Sequence, residues 1–539
     1  MPWDKGLFSP VSPILIPPEA MLIAEECYPD LDGAPRKRGA RKRAIYGQAG
    51  GSNTIQVALE ANGILAISCG GFLFSVYPWR FFDGIALWVP CLSAIGGATR
   101  WGSGTSPISA VSTGRYIVFA ASSESEDTPT IWADTSNVGA LEYLIWDQIP
   151  MDFAPTCFKH VCSHADRLWG SGDDVLLSDF NHHSKLWYSA IRDPLNFILY
   201  GSDPNIGPGY VYIGSDEDDM ITGLCHFLGD LYVFKRESIW RVIGATAPFH
   251  VTSASRATGA VSGQTVVNIG SDVLFLSYSG VQSLSASQRF GDVEERALSF
   301  PIQDQFDALD KEDFQNAWAV HVPEKRLYLL GVPQTISGVR TGRIFAYNYA
   351  RRSWMGPWTM PVGCLARVAI DNIGWRRYSS FETVIGRYDG YLDALFDSGS
   401  KDYGSTDYTA KMGTGYLGGG DVDTMKSFRD AVLYVQSNAA TGLDFYYDPD
   451  GRGEVHVNAS VPITMTGFVL GEATGTLGEC ELGYSDDVAR LASIAVRIPI
   501  NEQAKILKLR IEQSDADLKV VGYHVEHVPA GVYSEYVRG

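Results

Sequence analysis

At 539 residues the chain exceeds one ordinary core and points to two or three domains or one large repeat array. Hydrophobic residues at 45%, 56 glycines and only 19% charged side chains describe a turn-rich all-β protein with ample apolar surface to bury. The formal charge of −19 argues against a general nucleic-acid binder, and no apolar run is long enough for a membrane-spanning helix.

Residues 1–54 show no lasting periodicity. They are Pro-rich, then polar, then basic, and read as an extended N-terminal docking arm that packs onto something else. Pro13, Pro17 and Pro18 interrupt the early apolar stretch, so no signal peptide is expected. Residues 36–43 (RKRGARKR) hold six basic side chains and no acid. Arg36, Lys37, Arg38, Arg41, Lys42 and Arg43 are therefore the candidate partner-docking residues, for an acidic neighbouring subunit or a phosphate, with a nucleic-acid patch as the alternative reading.

From about residue 55 one grammar repeats: a turn, an apolar strand, a second turn and an aromatic-rich strand. Seven such cores lie at 62–77, 114–134, 166–191, 229–244, 271–286, 325–358 and 384–396. Their starts are roughly 40 to 70 residues apart, the spacing of four-stranded propeller blades. A six- or seven-bladed β-propeller-like domain is expected over 55–404. The core at 229–244 shows why: Leu231, Val233 and Lys235 point one way, Tyr232 and Phe234 the other. A strand with bulky residues on both faces belongs inside a larger β structure.

Residues 299–318 place Ile302, Phe306 and Leu309 at helical spacing, with Asp304, Asp307 and Asp310 opposite, and predict one short surface helix. Near 400 a polar linker begins. Over 405–539 alternating strands joined by Asp-Pro-Asp-Gly-type turns predict a C-terminal β-sandwich-like domain.

Chemistry is sparse. In CFKHVCSH (157–164), His160, Cys162 and His164 share a strand face and could supply three metal ligands. The second ligand pair usual for zinc is absent, so packing is the expected role and no metal site is assigned. His182 and His183 sit on a turn. The run 216–219 is four consecutive acids without EF-hand spacing, expected to be a solvated turn. No G-x-S-x-G, Walker A loop or Ser-x-Asp-x-Gly-x-Thr-Trp box occurs, and no Gly-Lys-Ser/Thr follows the glycines at 415–420. No catalytic residue and no cofactor are expected, and the protein is read as a non-enzyme. The eight cysteines are scattered and read as free thiols made in a reducing cytosol.

Four segments resemble the propeller-type tail nozzle (tail tube) proteins of short-tailed bacteriophages, grouped with packaged-DNA stabilisation proteins. They are EAMLIAEECYPDLDGAPRKRG (19–39), HADRLWGSG (164–172) with LWYSAIRDPLNF (186–197), ITGLCHFLGDLYVFKRESIWRVIG (221–244), and GAVSGQTVVNIGSDVLFLSYSGVQSLSA (259–286) with IFAYNYARRSW (344–354). The first is similar to the family's opening pattern of an acid, Asp-x-Asp-Gly and Arg-x-Gly. Cys27 stands where Asn is usual, and residues 41–43 add a second basic triplet. The resemblance implies a structural virion protein: a hexameric ring below the head-to-tail adaptor that retains packaged DNA and becomes the ejection conduit. It also implies tail fibre, spike or needle proteins nearby, duplex DNA passing without sequence-specific binding, and the host envelope as the target at ejection. Its place would be the virion tail, assembled in the host cytoplasm. The alternative is a tail-associated carbohydrate-binding or glycan-cleaving propeller, and a third reading is a cytosolic propeller scaffold.

Overall fold

In the computed structural model the described residues are 1–76 (without 11, 46, 50–52 and 63), 89–90, 92–93, 108–121, 130–135, 142–145, 158–171, 184–199, 203, 205–214, 219–285, 287, 297–370, 380–397, 401–403, 406–418, 421–437, 441–461 and 493–530. The protein is all-β, as the composition predicts, and its propeller has seven blades among these residues.

Blade 1 holds Ile55–Ala61, Ile64–Cys69, Phe72–Val76 and Val89–Pro90. Blade 2 holds Ile108–Ser112, Tyr116–Ala121, Ile131–Asp134 and Glu142–Ile145, with Leu92–Ser93 parallel beside the last. Blade 3 is His160–His164, Arg167–Ser171, Lys185–Tyr188 and Gly209–Tyr212; blade 4 is Ile221–Phe227, Asp230–Lys235, Ile239–Ile243 and His250–Ser255. Blade 5 has Val267–Asn268, Val273–Ser277 and Gly280–Ser283; blade 6 has Trp318–Val322, Leu327–Ile336, Val339–Asn348 and Ser353–Met360. Blade 7 has Cys364–Ile370, Ser380–Gly386 and Leu392–Asp397. The first strand of each blade touches the first strand of the next, and that of blade 7 returns to that of blade 1. The ring is closed.

Each sequence core is the hinge of one blade. In blade 4 the turn is Leu228-Gly229, both with positive φ (49° and 88°), the geometry of a two-residue hairpin. The strand that follows is buried on both faces: Leu231 and Val233 pack with Trp169 and Leu186 of blade 3, Tyr232 and Phe234 with Val273 and Phe275 of blade 5. Lys235 crosses the seam as well, its Nζ donating to Ser184 Oγ at 2.9 Å.

The first residues do not stand apart as a free arm. They form four short strands, β1 (Ile23–Glu25), β2 (Cys27–Pro29), β3 (Pro35–Lys37) and β4 (Ala40–Arg43). Strand β4 is the fourth strand of blade 7, pairing Arg43 with Asp393 and Lys42 with Ala394. The other three belong to the C-terminal sandwich, which has two five-stranded sheets. One runs β1, Ala410–Gly413, Leu507–Gln513, Thr441–Pro449, Val455–Val461; the other runs β2, β3, Leu518–Pro529, Lys426–Ser437, Ile494–Ala504. The expected extended docking arm is therefore folded onto its own chain, because three- and four-residue strands bury their backbone groups only by joining larger sheets.

One apolar core joins the arm (Trp3, Leu7), blade 6 (Tyr328, Trp354) and the sandwich (Leu433, Tyr523). The arm crosses blade 6 closely: Leu7 N donates to Trp354 O at 2.7 Å, and a Cβ at Gly6 would lie 2.6 Å from that same oxygen. Gly6 also has φ 73°, so a glycine is required twice over. The predicted helix at 299–318 is α-helical only over Gln303–Asp307, between 3-10 turns at Phe300–Ile302 and Lys311–Asn316. Ile302 and Phe306 are buried while Asp304, Asp307 and Asp310 face outward, as the spacing requires. No helix among the described residues is long and apolar enough to cross a membrane.

Candidate functional site

Two places concentrate polar chemistry: the latch that holds the arm and the channel on the propeller axis. The latch is built from the basic run. Arg38 is buried, lies 3.7 Å above the Tyr408 ring, and grips both oxygens of Asp402 at 2.9 and 3.0 Å, with Nε on Glu26. Arg41 adds its backbone N–H and its Nε to the same carboxylate, each at 2.8 Å. Burial alone would raise the Asp402 pKa, but the hydrogen bond and charge of Arg38, with Arg41, hold it below the usual carboxylate range.

The remaining basic residues are also engaged within the chain. Arg43 reaches the fully buried Asp393 at 2.9 Å and stacks 3.5 Å over Tyr391, while Arg387 and the Tyr403 hydroxyl take the other Asp393 oxygen. Arg36 donates to Asp517 at 3.1 Å. Lys37 is buried, donates to Ser514 O at 2.6 Å and lies 4.2 Å from the Tyr408 ring centre. Burial, then the nearby Arg38 charge, pushes its ammonium down to about 8. Lys42 occupies a paired position in β4. Lys519 of the sandwich in turn holds Asp30 at 2.8 Å and Asp32 at 2.6 Å, the two acids of the Asp-x-Asp-Gly segment. The acidic partner expected for the cluster is thus supplied by the protein itself.

The channel is lined by the first strands of all seven blades and encloses about 480 Å³. Duplex DNA cannot thread it. Its polar lining includes His160, Gln264, Asn268, His321 and Arg367, and no carboxylate lines it among the described residues. Arg367 pairs with Glu324 and stacks 3.8 Å over Phe381. The His321 ring meets the Tyr349 hydroxyl at 3.1 Å, and burial, then Arg367, lowers its pKa.

The three ligands drawn from CFKHVCSH do not converge. His160 lines the channel, while His164 packs against Trp169 at the far end of the same strand. Among the described residues no group of three or more His, Cys, Asp or Glu is placed to hold a metal. Cys157, His182, His183 and 215–218 lie outside the described residues. Asp219 is within them and accepts from Glu237 N at 3.0 Å and Ser238 Oγ at 2.6 Å. Cys27, Cys69, Cys162, Cys225 and Cys364 are free thiols, and burial pushes the last four up to about 12.

Closed blades and a solvent-sized axial channel make this a β-propeller protein with an appended sandwich. No family model matches the chain, and no curated protein matches it. Among solved structures it has a distant similarity to β-propeller proteins. An exo-β-1,3-galactanase from Phanerochaete chrysosporium is 10% identical, with 81% of this chain and 98% of that one covered at a TM-score of 0.26. A glycoside hydrolase family 43 arabinoxylan arabinofuranohydrolase from Bacillus subtilis is 11% identical, covering 88% and 96% at 0.26. The Neurospora crassa Pan2 WD40 domain is 8% identical, covering 66% and 98% at 0.34. Likenesses of this size bear on no question of function.

Proposed function

We propose that this chain is a structural subunit of a bacteriophage tail nozzle, forming a ring that attaches below the head-to-tail adaptor, retains packaged DNA and conducts it at ejection. The observation that carries the reading is the use made of the arm segment that resembles the nozzle family. Its Asp30, Asp32 and Arg36 enter ion pairs with Lys519 and Asp517 that weld the chain's start to the sandwich, Glu26 pairs with Arg38 inside the arm, and Arg38 and Arg41 reach Asp402 beyond blade 7. Arg167, in the second such segment, is spent on backbone carbonyls of Ser189, Gly207 and Asn205. These are bracing roles, suited to the wall of a tube that bears load. The net charge of −19 suits a passage that must not grip phosphates. Duplex would pass through the centre of a ring of subunits, not through the axis of one propeller.

Because Arg36, Lys37, Arg38, Arg41 and Arg43 spend their side chains on partners within the chain, attachment to the adaptor is assigned in this reading chiefly to other surfaces. The test is binding of the purified chain to tail-less, adaptor-bearing particles. Saturable binding is the expected result. Failure to bind, together with saturable binding of a sugar, would move the assignment to a carbohydrate-recognising propeller.

A further inference from the structure

We infer that His164 and His226 form a two-histidine site for a divalent transition ion of the zinc class, clasping blade 3 to blade 4. His164 ends the first strand of blade 3 and is only 5% exposed. No hydrogen bond of good geometry reaches either ring nitrogen, although the Gly244 backbone stands near enough to act on the ring; a buried imidazole so weakly satisfied is costly. Such a cost persists where something is gained from it.

The ring facing it is His226, on the first strand of blade 4. The ring centres are 5.0 Å apart with their planes at 38°. Two imidazoles that each place a nitrogen about 2.0–2.1 Å from one tetrahedral ion have centres about 5 Å apart, the separation of these two rings. His226 is exposed and supplies the entry path. Asp230 stands near enough to His164 to act on its charge, with Arg241 holding that carboxylate. Imidazole ligands suit zinc, nickel and copper better than magnesium or calcium. With two protein donors, water completes the coordination. The ion would be a staple across a blade seam that is otherwise closed by apolar contacts and the Lys235–Ser184 hydrogen bond.

The full chain, stripped with chelator and dialysed, is titrated calorimetrically with zinc chloride and separately with nickel chloride, and its melting midpoint is followed with and without metal. His226→Ala removes an exposed ring. His164→Phe fills the buried space with an apolar ring, so neither variant need unfold the seam. One ion per chain is expected, bound about tenfold or more weakly in each variant. The metal-dependent rise in melting midpoint should occur only in the parent protein, since binding to the native state alone stabilises it. No binding by the parent, or an affinity and midpoint shift in His226→Ala equal to those of the parent, would overturn the site. Adventitious binding at the chain's other histidines gives that equal response and counts against it.

Discussion

Asp402 ties together parts of the chain more than 350 residues apart. It accepts from Arg38 and Arg41 of the arm, and it is buried with Arg38. Asp402→Asn leaves the Arg38 charge underground with only Glu26 against it, and is expected to cost about 3–5 kcal/mol in urea unfolding. The pH dependence has a definite sign. The folded carboxyl titrates below its unfolded value of about 3.9, so the stabilisation is complete above that pH and is lost as pH falls through the folded value. Acid unfolding of the parent should therefore steepen below about pH 4, and in Asp402→Asn this component should be missing. At the blade 3–4 seam Trp240 lies over Gly214, where a Cβ would come 2.7 Å from the indole, and its Nε1 donates to Ser238 at 3.0 Å. The ring is half-buried, so Trp240→Ala should cost about 2 kcal/mol by denaturant titration, below the roughly 3–5 of a fully buried tryptophan.

At the scale of elements the arm is the most consequential piece. A chain starting after Arg43 lacks the outer strand of blade 7 and β1, β2 and β3 of the sandwich. It is expected to lose cooperative unfolding and to aggregate, since both truncated sheets then present unpaired edges. Calorimetry and light scattering on the truncated chain check this. Replacing the six basic residues of 36–43 with Ser should likewise lower the melting midpoint, because Asp402 and Asp393 lose their arginine partners from the arm. The blades were legible because their information is local: each of the seven cores is a hairpin between neighbours in sequence. The faces of Leu231 and Tyr232 could be assigned from alternation alone. The arm's destination was not legible. Strands of three or four residues show no period, and β4 pairs with residues 393–397, about 350 positions away. The basic cluster was visible, but its acids were hidden in the linker (Asp402), in blade 7 (Asp393) and near the C-terminus (Asp517). The facing of His164 and His226 was hidden for the same reason, since it exists only once blades 3 and 4 are side by side.

On the scale of the whole molecule, one apolar core is shared by arm, blade 6 and sandwich, so propeller and sandwich are packed against each other. A wall unit of that kind suits a closed ring, in which each copy meets the next through the same pair of surfaces. The solution mass of the purified chain, alone and with adaptor-bearing particles, followed by negative-stain imaging, tests the proposed nozzle most directly. Rings of about six copies around an opening wide enough for duplex DNA, free or assembled on the adaptor, are the expected result. A chain that stays monomeric and ignores the particles would contradict it.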